Sequence, residues 1–135
     1  MALLDEVAAR LISQSVGVSG TTAAWTVFKG YEPALPDKVI TVFETGGLPN
    51  QGHEGNVLDL PTFQVRVRGD AFGYSTARTK IAAARTALEG MTAGTFSGRY
   101  YCQVTANSEP ISLGQDASHR PELVMNFTAL RSRSS

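Results

Sequence analysis

The run from Ile40 to Gly90, ITVFETGGLPNQGHEGNVLDLPTFQVRVRGDAFGYSTARTKIAAARTALEG, constrains the fold of this chain more than any other segment. It sets two strand-like apolar segments on either side of a stretch rich in Gly, Pro and Asn, and the second leads almost directly into an amphipathic helix. Phe63, Val65 and Val67 alternate with Gln64, Arg66 and Arg68, the period-2 pattern of a half-buried antiparallel strand. Val39 to Phe43 is apolar on both faces apart from Thr41, which predicts a central strand. Ala77, Ile81, Ala84 and Leu88 mark the buried face of a helix, with Arg78, Lys80 and Arg85 outward and Gly90 at its end. The alanines from Ala82 to Ala84 let that helix lie close to whatever it covers.

The flanking segments extend the pattern. Leu3, Leu4, Val7, Ala8, Leu11 and Ile12 share one helix face, with Asp5, Glu6, Arg10 and Ser13 opposite and Gly17 and Gly20 ending the helix. Trp25 to Lys29 predicts a short strand, and Pro33 and Pro36 make a turn of YEPALPD. Tyr100 to Ala106 and Leu123 to Leu130 are the last two strands. Glu44–Pro61 and Asn107–Pro121 read as two long loops, and loops above ~12–15 residues in compact domains are functional or mobile. Residues 130–135 form a fraying tail. The expected fold is a single α+β domain over residues 1–135. Its sheet of four to five strands is antiparallel, with a mixed sheet as the variant, and two helices pack on one face. Leu4, Val7 and Leu11 should pack with Ile81, Ala84 and Leu88 against Phe63, Val65, Val67 and Met125.

Composition narrows the function. A chain of 135 residues can hold a core without disulfides or metal, and its single cysteine, Cys102, excludes an intrachain disulfide. Twelve basic residues balance twelve acidic ones, so bulk attraction to nucleic acid or an anionic membrane is not the design principle. A charged fraction of 18% is low for a soluble monomer and favours surface buried in an oligomer. No segment reaches the ~20 apolar residues of a membrane helix. The N-terminus lacks the basic start of a secretory signal, so the mature chain is expected to be the whole chain.

Candidate chemistry is sparse. His53 and Glu54 in the first loop and Asp116 and His119 in the second supply metal-capable groups without a third element to fix them, and solvated loop residues are the simpler reading. Cys102 in a strand reads as a buried small hydrophobe. Arg68-Gly69-Asp70 falls where a strand turns into a helix, which calls for a Gly and a capping carboxylate. Asn126-Phe127-Thr128, a glycosylation sequon, sits in a predicted strand. Neither a catalytic residue, a cofactor site nor a metal site is assigned. Gln64, Arg66 and Arg68 form a polar stripe that reads either as a wet sheet face or as a contact surface. Leu48, Val57 and Leu58 are the apolar anchors available to the first loop if it docks.

The pieces VITVFETGG, LPTFQVRVRG and YSTARTKIAAARTALEGM resemble the minor capsid or tail-completion (tail terminator) family of long-tailed bacteriophages. The shared pattern is a strand ending in Thr45-Gly46-Gly47, a Gln64-to-Gly69 strand and an Ala-rich helix from Tyr74 to Leu88. The resemblance implies a virion structural protein without catalytic residues or cofactor. It implies a homo-oligomeric ring, commonly a hexamer, that caps the tail tube, ends its polymerisation and joins the tail to the head connector or stopper protein. The implied partners are the chain itself, the tail tube protein and the connector. The membrane and sequence-specific nucleic-acid binding are excluded, and genome DNA has a path through the ring. The implied place is the tail or head–tail junction of a virion assembled in the bacterial host cytoplasm. The alternatives are another head-completion component, or a small ligand- or metal-binding domain using the two long loops.

Overall fold

The computed structural model describes residues 3–48, 58–96 and 98–132. The order is α1 (Leu3–Ser13), β1 (Thr26–Lys29), β2 (Val39–Leu48), β3 (Leu58–Arg68), α2 (Tyr74–Glu89), β4 (Gly94–Phe96), β5 (Arg99–Ala106), β6 (Ile111–Gln115) and β7 (Pro121–Ser132). All seven strands form one sheet in the order β1-β2-β3-β7-β5-β4, with β6 also paired to β7. β1 runs parallel to β2 and every other pairing is antiparallel, so the sheet is mixed.

Seven strands replace the expected four to five. β4 has three residues, too few to show a period. β6 is exposed along its whole length, so it lacks the inside–outside alternation that marks a half-buried strand. The expected loop Asn107–Pro121 therefore contains a five-residue strand, Ile111–Gln115, and ends where β7 begins. Asn107 N–H donates to Asn126 O at 2.8 Å, and β6 continues β5 along the same edge of β7, leaving a turn at Asp116–Arg120.

The first expected loop shrinks for a different reason. β2 runs on through Thr45-Gly46-Gly47 to Leu48, opposite Leu60, Pro61 and Thr62, with a bulge between Glu44 and Gly46. Gly46 and Gly47 have φ of 96° and 105°, and a Cβ on Gly47 would sit 2.3 Å from Leu60 O. The glycines thus serve a bulged two-stranded arm that no side-chain-bearing residue would fit at position 47. His53, Glu54 and Val57 lie outside the described residues.

Both helices cover one sheet face. Val7, Leu11, Ile81, Ala84, Leu88, Phe63, Val65, Val67 and Met125 are fully buried in one cluster, with Leu4 at its margin and Leu3 buried instead. Each large apolar side chain so placed contributes ~1.5–3 kcal/mol. Phe63 stacks on Phe127 with centroids 5.2 Å apart. Gly73, not Asp70, precedes α2, without a side-chain cap. At the far end Gly90 keeps right-handed geometry and makes room for Arg10, whose Nε donates to Ala87 O at 2.9 Å. That cation suits the negative end of α2.

Glu6 departs from the sequence reading, which placed it outward. It is buried under α1, accepting from Tyr101 Oη and, at 3.0 Å, from Arg131 Nη1. Arg99 Nε lies 3.7 Å from its other oxygen. This cluster staples α1 to β5 and β7, and burial holds the Tyr101 hydroxyl well above its ordinary range.

Candidate functional site

The face of the sheet turned away from the helices carries the stripe. Alternation along β3 puts Leu58, Leu60, Thr62, Gln64, Arg66 and Arg68 on that side, and Leu48 joins them by pairing with Leu60. Every described candidate contact residue therefore lies on one face. Leu48 is 55% exposed, while Leu58, Gln64 and Arg66 are half-buried.

Within the stripe the side chains bond to one another. Gln64 Nε2 donates to Asn126 Oδ1 at 3.2 Å, and Arg66 Nη2 to Gln64 Oε1 at 3.5 Å. The Arg66 guanidinium lies 5.3 Å from the Phe43 ring centroid, within cation–π range. Arg68 is different, being 3% exposed. Its Nε donates to Asp37 O at 2.9 Å and its Nη2 to Pro36 O at 2.7 Å. Arg68 thus holds the 31–38 segment over this end of the sheet face and is occupied within the subunit.

Beneath that segment sits an ionic cluster. Glu32 lies 3.6 Å from Arg68 Nη1 and beside the Glu122 carboxyl. Burial, then the Glu122 carboxyl, pushes Glu32 up to about 7, with Arg68 and Arg66 acting in opposition. Burial also pulls Arg68 below its ordinary range, and Arg120 adds to that effect.

Among the described residues the sheet has unpaired edges on both margins, the end strand β4 included. β2 from Glu44 to Leu48 runs past the end of β1 and pairs only with β3. β6, on the other margin, pairs only with β7; it is uncharged, and its Ile111 and Leu113 are 44% and 49% exposed. An edge without charges is a template for another strand. The sequence signal was an Ile-Ser-Leu alternation inside a segment that reads as loop.

The remaining candidates serve local structure. The Asp116 carboxylate accepts from Ser118 N, Arg120 N and Arg120 Nε at 2.9, 2.9 and 2.8 Å, which builds the 116–120 turn and holds its pKa below the ordinary value. His119 stacks on Phe72, with centroids 4.9 Å apart. Among the described residues no three His, Cys, Asp or Glu side chains are grouped to hold a metal ion. No helix among them is long and apolar enough to cross a membrane. Cys102 sits at the β5 bulge and is half-buried rather than buried. Gly69 N–H donates to Pro121 O at 3.0 Å, and with Arg68 buried the Arg-Gly-Asp tripeptide is a strand exit.

Residues 10–133 match the family described as bacteriophage tail terminator protein. The chain belongs to that family and is a structural protein of the bacteriophage virion, located in its tail. A comparison with curated protein sequences gives no match. The fold is similar to a chain in the virion of a native gene transfer agent particle, with a TM-score of 0.71 and 18% identity over 98% of this chain and 96% of that one.

Proposed function

We propose that the chain acts as one domain over residues 1–135 and assembles into a closed ring. The ring caps the tail tube, stops its growth and presents a surface to the head connector. One observation carries the reading: among the described residues the sheet has unpaired strand edges on opposite margins, at Glu44–Leu48 on one and at Ile111–Gln115, beside the end strand β4, on the other. A contact between unlike edges is heterologous, and a rotation that closes such contacts gives a ring instead of a filament. Six is the subunit number implied by the family resemblance. The face bearing Leu48, Leu58, Gln64 and Arg66 is the surface offered to a neighbour. The protein works by assembly, without catalysis or cofactor. Size-exclusion chromatography with light scattering tests this: a mass six times the 14.4 kDa subunit is expected, and a monomer at all concentrations would defeat it.

A further inference from the structure

Three turns meet where β3 ends and β7 begins. Phe72 N–H donates to His119 O at 2.8 Å, and Arg120 Nη1 donates to Ala34 O at 2.6 Å, next to Leu35. Arg120 also pairs with Asp37 and Asp116 at 3.2 and 2.8 Å. Bonding of this kind presents a fixed surface, which lowers the ordering cost of binding.

What that surface presents is apolar and aromatic. Phe72 is 72% exposed and Leu35 71%. Phe72 and His119 are stacked on each other, and both have left-handed backbones, with φ of 59° and 62°. Glycine or asparagine takes that conformation at less cost than phenylalanine does. A side chain buried inside the subunit would offset the strain, but Phe72 projects from it. Strain held at an exposed aromatic pair points to use outside the subunit.

The charges around it select a partner. Asp37 is half-exposed and Asp70 exposed, whereas the cations here, Arg68 and Arg120, are 3% and 13% exposed and turned inward. The rim is therefore acidic at its surface although the whole chain is neutral. Complementarity favours a partner with basic groups around an apolar side chain. The patch sits at strand ends, on the turns that follow β3 and β6 and lead into α2 and β7.

We propose that Phe72, His119 and Leu35 form a docking patch for a different virion protein, one that inserts an apolar side chain flanked by Lys or Arg. That the patch stays uncovered in the assembly rests on the ring reading; its chemistry does not. The test is complementation of a phage lacking the gene with Phe72→Asn/His119→Asn, since asparagine accepts the left-handed backbone. The variant should keep the wild-type mass and melting temperature while plaque yield falls at least ten-fold, and Asp70→Lys should also lower the yield. Wild-type yield from the double variant would overturn the patch, as would loss of folding or of assembly in it. Wild-type yield from Asp70→Lys would overturn the charge argument. The ring reading is judged separately, by the mass of the unaltered protein.

Discussion

Replacing Glu6 with Ala should be among the most damaging single changes in this protein. Glu6 is 1% exposed and Arg131 8%, and the two share a 3.0 Å contact that Tyr101 Oη closes on the other side. Arg131 Nε is already buried without a hydrogen-bond partner, so the carboxylate is the main compensation for that cation. Breaking a buried pair from one side leaves the other charge uncompensated, at ~3–5 kcal/mol. Domain stabilities run from ~5 to 15 kcal/mol, so much of the total is at risk. The double variant Glu6→Leu/Arg131→Met removes both charges and keeps apolar volume, and should recover most of the loss. Arg99, 14% exposed on its side chain, then turns to solvent. Urea unfolding followed by circular dichroism on wild type, both single variants and the double variant closes the cycle. A loss below ~1 kcal/mol for Glu6→Ala, or a double variant no better than the worse single one, would refute the reasoning.

Three further outcomes are expected. Ile81→Ala, at a fully buried helix position, should cost ~2–5 kcal/mol in the same assay, and a loss within error would show that α2 does not pack as described. Glu32 has its folded pKa raised from 4.5 to about 7, so its contribution to stability is present below pH 4.5 and disappears as pH rises through 7; Glu32→Gln should flatten stability between those limits, and an unchanged pH profile would contradict the carboxyl pair. Arg66→Glu combined with Leu48→Ser and Leu58→Ser should leave the subunit folded and weaken assembly; unchanged assembly would remove this face, though not the ring, from the account.

The elements most legible in the sequence were those whose faces differ in burial, with the continuously apolar Val39–Phe43 beside them. Phe63-Gln64-Val65-Arg66-Val67 has one wet and one dry side, and α2 has a single apolar stripe, so period alone identified β3, the helix and the core between them. β6 was not legible because it is exposed on both faces, and Gly46 and Gly47 read as loop although a bulged strand needs them. Glu6 and Arg68 show the other limit. Each occupies a polar position of an amphipathic pattern, yet each is buried by partners far away in sequence, Tyr101 and Arg131 for one and the 31–38 segment for the other. The candidate surface was legible as a stripe on β3. Its division into a bonded network at Gln64 and Arg66 and a buried anchor at Arg68 depends on tertiary contacts that no local pattern records.

The most direct test of the tail-terminator account is electron microscopy of lysates from a phage with this gene deleted. The account predicts separate heads and tails, with tails of irregular and often excessive length, and rescue by the gene supplied in trans. Complete virions with tails of normal length in the deletion lysate would contradict it.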